Sequence, residues 1–159
     1  MKKTPFSLVQ SSYPSRVSTP KDLLYASIGY PELSAKMEWD NTCAVRVSLA
    51  LLGAGVNVPG HMTIKAGRFK GRTFQPGQAK LSAFLARSDN LGAPEKFNSS
   101  VEALIGVRGR RGIISFIGLH GPSDQQGHID IVSPDHYGDP GCGNSCYWGA
   151  REVWFWPMK

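Results

Sequence analysis

The stretch Glu38-Trp39-Asp40-Asn41-Thr42-Cys43-Ala44-Val45-Arg46-Val47-Ser48-Leu49-Ala50-Leu51-Leu52-Gly53 decides how this chain is read. Val45, Leu49 and Leu52 recur at helical spacing, and Ala44, Val47 and Leu51 widen the apolar stripe. Asn41 or Thr42 offers a side-chain oxygen to cap the N-terminus, and Gly53 with Gly55 ends the run. The pattern predicts a buried, rigid helix that opens on Cys43. A thiol there faces unsatisfied N–H groups and the positive end of the helix dipole. Both favour thiolate, the nucleophilic form. The competing reading is a small buried hydrophobe, the usual fate of a free cysteine.

Outward from this helix, periodicity changes along the chain. Residues 1–18 are rich in Ser, Pro and Thr, show no clear period, and are expected to wrap the surface. Thr19-Pro20-Lys21-Asp22 reads as a helix start, with the helix over Lys21–Ile28 stopped by Gly29. Residues 53–77 hold six glycines and two prolines, which predicts a long loop with one short strand; loops of this length are often functional. Gln78–Leu91 is predicted helical, and Ser99 or Ser100 to cap a short helix running through Ile105. Then the pattern shortens. Gly112–Gly118 reads as a central strand, His120–Gly127 as a polar turn, His128–Val132 as a second strand and Val153–Trp156 as a last one. Helices first and strands after predict an α+β fold with helices packed on an antiparallel sheet, in a single domain over residues 1–159.

Composition narrows the function classes. Hydrophobic residues at 41% and charged residues at 19% describe a globular chain. No apolar run reaches the roughly 18 residues of a membrane span, so no membrane insertion is expected. Met1-Lys2-Lys3-Thr4-Pro5-Phe6 has a basic start without the apolar core of a signal peptide, so export by the usual route is not expected. The net charge of +6 favours anionic partners. The basic residues gather in Lys65–Arg72 and in Arg108–Arg111, without interleaved aromatics for base stacking, and no nucleic-acid-binding motif is visible. A nucleic-acid partner is therefore not expected.

Three cysteines and four histidines carry the remaining chemistry. Cys142 and Cys146, in Gly141-Cys142-Gly143-Asn144-Ser145-Cys146-Tyr147-Trp148, can close a short disulfide, form half of a zinc site with a histidine such as His136, or stay free thiols. A disulfide would imply an oxidising workplace. A cysteine nucleophile needs a base, and the base an orienting partner. His128 opens a strand directly after Gly127, where its direction is well fixed. His61 and His120 lie in Gly/Pro loops and His136 in a turn. A cysteine at a helix start and a histidine on a following strand resemble the papain-like arrangement.

Four segments in order, Asn41–Ser48, Gly112–Ile114, Gly127–Ile129 and Cys142–Tyr147, with a terminal Trp-rich strand, resemble the fourth family of type VI secretion amidase effectors over roughly residues 39–157. The resemblance implies a papain-like NlpC/P60 domain needing no cofactor or metal. It implies cleavage of peptidoglycan peptide stems between D-glutamate and meso-diaminopimelate. Delivery by the type VI machinery into a rival's periplasm, and a cognate immunity protein, follow from the same resemblance. Carried across, Cys43 matches the nucleophile and His128 the base. The family's aspartate between the two late cysteines is replaced here by Asn144, which can still orient the imidazole but brings no charge; Asp139 and Asp130 are the alternatives. Trp39 is a candidate cleft residue, with core packing as its other reading. Lys65, Arg68, Lys70 and Arg72 are candidate cations for substrate carboxylates, or a solvated face. Competing functions are a housekeeping wall endopeptidase, a papain-like acyltransferase, and a zinc-stabilised binding module.

Overall fold

A computed structural model describes residues 4–120 and 126–159. The expected helix is present as α3, Cys43–Gly53, with every residue from Cys43 to Leu52 buried. Its start is capped by Asn41, whose Oδ1 accepts the Cys43 N–H at 3.2 Å, while Thr42 makes no such bond. Before it stand α1 (Phe6–Ser12) and α2 (Lys21–Ser27), then two 3₁₀ turns, Pro31–Ala35 and Met37–Trp39. The expectation that residues 1–18 wrap the surface is corrected over α1. Phe6 and Val9 are buried in the main core, and only two inward positions in seven residues left no readable period.

The segment after α3 forms a small hairpin, β1 (Met62–Thr63) against β2 (Thr73–Phe74). Helix α4 spans Gln78–Leu85 rather than reaching Leu91. The chain turns through Arg87–Asn90, and the Gly92 N–H returns to the Leu85 carbonyl at 3.1 Å. Gly92 has φ 86°, a conformation that favours glycine. Helix α5, Ser100–Val107, is capped by Ser99, whose side chain accepts from the Glu102 N–H.

The main sheet has five antiparallel strands in the order β3-β7-β4-β5-β6. They are β3 (Glu95–Phe97), β4 (Arg111–Ile117), β5 (Gly127–Pro134), β6 (Pro140–Cys142) and β7 (Glu152–Met158). Strands β3 and β6 are three-residue edges without an alternating pattern of their own. Of the turn expected over His120–Gly127, residues 121–125 lie outside the described residues. Strand β4 is buried on both faces, which explains its unbroken apolar run. Ile113, Ile129, Ile131 and Trp156 join the core under α1, α2, α3 and α4. Ile114, Phe116, Val132 and Phe155 join a second cluster with Ala103 and Val107 of α5. Helix α3 packs on β5, bringing the start of the helix to the start of the strand.

Candidate active site

Cys43 is the one free cysteine among the described residues and is buried. His128, the second residue of β5, is 5% exposed and hydrogen-bonds the Cys43 side chain. Its Nε2 lies 2.9 Å from Asp130 Oδ2, which leaves Nδ1 as the nitrogen for sulfur. The imidazole packs beside the Phe116 ring, its register partner on β4, and beside Tyr147. Burial pulls the imidazole down. Hydrogen bonds to Asp130 and Cys43, and the charges of both, more than offset this and hold His128 at about 9. At neutral pH the ring therefore carries a proton.

Asp130 is fully buried and gathers five donors. Its Oδ2 takes His128, the Asn144 N–H at 2.9 Å and the Ser145 N–H at 3.1 Å. Its Oδ1 takes the Tyr13 hydroxyl at 3.0 Å and the Ile131 N–H at 2.8 Å. Here the expectation for Asn144 is corrected. The group on the imidazole is Asp130, and Asn144 enters through its backbone N–H. A regular strand puts residues i and i+2 on one face, so His128 and Asp130 meet without help from a loop. Asp139 is elsewhere, paired with Arg108 at the surface.

Cys142 and Cys146 are joined by a disulfide, so their sulfurs are bonded to each other rather than offered to zinc. Among the described residues no group of three or more His, Cys, Asp or Glu could hold a metal ion. The bridge closes the loop whose two N–H groups hold Asp130. Gly143 fits because a side chain there would collide: its Cβ would stand 2.7 Å from Tyr13 Cε1 and 2.9 Å from Asp130 Oδ1.

A cleft of about 990 Å³ leads to His128 and is lined by Trp39, Asn41, Gln78 and Tyr147 among others. Trp39 has two sets of neighbours. It borders the cleft, and it stands edge-on to Tyr25 with its carbonyl accepting the Tyr25 hydroxyl at 2.7 Å. The cations on the cleft are Arg16 and Lys80. The expected set does not line it: Lys65 lies over Tyr30, Arg68 over Phe69, and Arg72 bonds Asn57. Two residues were missed by sequence reasoning. Tyr13 gave no signal, standing in a segment without period. Arg46 gave one: a cation inside an apolar helix run. It is 1% exposed and donates to Thr42 Oγ1 and to the carbonyls of Pro14 and Thr19. A buried thiol, an imidazole and a carboxylate in one hydrogen-bonded chain can perform nucleophilic acyl transfer.

The chain is similar to known proteins in sequence and in fold. The family model "Type VI secretion system (T6SS), amidase effector protein 4", Tae4, matches residues 39–156. No curated protein matches the chain. Among solved structures, the type VI effector Tae4 from Enterobacter cloacae is 23% identical with a TM-score of 0.76, covering 99% of this chain and 98% of that one. The Tae4–Tai4 effector–immunity complex from the same organism gives 22% and 0.74, covering 99% and 100%. The Tae4–Tai4 complex from Salmonella Typhimurium gives 17% and 0.73, again covering 99% and 100%. At these identities the structures show a shared fold, and the sequence match over most of the chain shows kinship. This chain belongs to the type VI secretion amidase effectors of the fourth family.

Proposed function

We infer that this effector is a cysteine amidase of the papain-like NlpC/P60 kind that hydrolyses a peptide-stem amide of peptidoglycan, at the D-glutamate–meso-diaminopimelate bond. The observation that carries this is the chain Cys43–His128–Asp130 at the end of an open cleft. Cys43 is the nucleophile, His128 the general base and then acid, and Asp130 the orienting carboxylate, in place of the side chain of Asn144. Trp39 flanks the stem, and Arg16 and Lys80 supply cations for its carboxylates.

The proton shared by Cys43 and His128 rests on the imidazole, and sulfur bonds to the stem carbonyl carbon while the carbonyl π pair moves to oxygen. N–H groups at the start of α3 stabilise that oxyanion. When the carbonyl re-forms, the C–N bond breaks and the amine leaves with the proton held by His128. Water, deprotonated by the same imidazole, then splits the thioester and frees the thiol. Asp130 holds the ring in one tautomer and stabilises its cation.

The work is done in the periplasm of a target cell, after delivery by the type VI apparatus. There the Cys142–Cys146 bridge is stable and the wall is within reach. The solved complexes are of effector with immunity protein, which supports a cognate immunity partner for this chain. The test is mass spectrometry of purified peptidoglycan fragments after incubation with wild type and with Cys43→Ala. New stem fragments from wild type alone are expected, and their masses name the bond. Equal profiles from both proteins would overturn the reading.

A further inference from the structure

Tyr13 stands outside the 39–156 stretch matched to the family, yet its hydroxyl reaches the buried carboxylate beside His128 at 3.0 Å. That contact is built from several directions. The Phe6 N–H at the head of α1 donates to the carbonyl of Lys159 at 2.7 Å. At the tail of α1, Ser12 sits so close to α3 that a Cβ on Gly53 would come 2.0 Å from Ser12 Oγ. Beyond Tyr13, the buried Arg46 guanidinium grips the carbonyls of Pro14 and Thr19 at 2.8 and 2.7 Å. The strap carrying Tyr13 is thus fastened to the nucleophile helix on both sides of the ring. The disulfide loop closes over it, with Gly143 against the ring edge.

An aspartate two residues from its histidine on one strand is fixed at its Cα but not in the twist of its carboxylate, because that last torsion is broad. The donors must set the twist. The Ile131 N–H belongs to β5 itself, and the Asn144 and Ser145 N–H groups both pull on Oδ2. Tyr13 is the side chain from another part of the chain that holds Oδ1. Burial, then the charge and hydrogen bond of Asp130, push the phenol far above its ordinary range, so it remains a donor throughout the working pH range.

On the reading of function given above, we propose that Tyr13 is a positioning residue of the amidase, which fixes the Asp130 carboxylate so that Oδ2 is aimed at His128, and that the N-terminal strap is part of the catalytic apparatus. Tyr13→Phe keeps the ring and removes the hydroxyl. Tyr30→Phe is the matched control, since the Tyr30 hydroxyl donates to the Thr63 carbonyl at 2.6 Å away from the site. With peptidoglycan fragments, Tyr13→Phe is expected to lower kcat about tenfold with KM within about twofold, the signature of misaligned groups. Tyr30→Phe should leave kcat within about twofold at a similar change in melting temperature. A second readout needs no turnover: the rate at which iodoacetamide alkylates Cys43 at pH 7, followed by mass. Tyr13→Phe should slow it severalfold and Tyr30→Phe should not. Wild-type kcat and alkylation in Tyr13→Phe, or equal losses in Tyr30→Phe, would overturn the proposal. If wild type releases no fragments, the amidase reading falls, and the alkylation rates still decide whether Tyr13 aligns the pair.

Discussion

Asp130→Asn keeps the shape of the side chain and removes its charge, and the structure dictates what that does. The carboxylate accepts three donors on Oδ2 and two on Oδ1. An amide has one oxygen. Whichever way it turns, its NH₂ faces at least two of those donors. An unmet buried donor costs about 1–3 kcal/mol, so the variant should lose about 2–6 kcal/mol of stability. Its effect on His128 is separate. Burial lowers that imidazole, and the hydrogen bond to Asp130 is the first of the interactions that raise it to about 9. Without the carboxylate, only Cys43 opposes burial, and the imidazole should hold its proton less tightly.

The sign of the stability effect follows. His128 is raised above the ordinary 6.5 in the folded state. The resulting stabilisation is complete below pH 6.5 and is lost as pH rises through about 9. That gap corresponds to about 3 kcal/mol. Urea unfolding of wild type between pH 6 and 9.5 should show the decline, and Asp130→Asn should show most of it gone. Fragment release should fall by about 10²–10⁴. Asn144→Ala keeps the backbone N–H that bonds Asp130. It should retain the pH slope and stay within about threefold in activity. Loss of activity in Asn144→Ala with near wild-type turnover in Asp130→Asn would refute the assignment of Asp130.

The disulfide links redox state to geometry, because its loop supplies two of the five donors on Asp130. Cys146→Ser, or reduction of wild type by dithiothreitol, should cost about 2 kcal/mol and depress turnover more than substrate binding, as steady-state kinetics would show. Gly143→Ala should lower turnover about tenfold, since its Cβ would meet Tyr13 and Asp130 below 3.0 Å, while Gly141→Ala, whose Cβ meets only the Ser133 carbonyl at 3.5 Å, should be neutral in the same assay. Arg46→Met strips the donor from two carbonyls and Thr42 Oγ1; it should cost about 3–5 kcal/mol, read as a melting temperature lowered by about 10 °C, and Arg46→Lys, with one compact ammonium in place of the fork, should recover little of it.

Much of the fold was legible because its signals are local. Helix α3 announced itself by apolar spacing, its Asn41 cap and its terminal glycine, and it runs Cys43–Gly53 as read. Strands β4, β5 and β7 were legible from short apolar runs between glycines and turns. What failed was settled at a distance. Helix α1 has two inward residues and is held by the C-terminus and α3. Strands β3 and β6 exist because β7 and β5 offer open edges to pair with. Helix α4 stops at Leu85 where the next turns fold back on it.

The site divides along the same line. A thiol at a helix start and a histidine at a strand start are one-residue features, and periodicity found both. Choosing the carboxylate needed facts that no single segment holds. Asn144 occupies the position where the family resemblance leads one to expect an acid, but what that position delivers here is a backbone N–H. Asp130 was an alternative because it shares a strand face with His128, but a buried charged group is costly unless donors converge on it. Those donors come from β5, the disulfide loop and the strap at Tyr13. A buried carboxylate two residues from a buried histidine cannot persist as solitary packing, so its partners must already be built, and finding five of them around Asp130 is the strongest structural reason to place the orienting charge there.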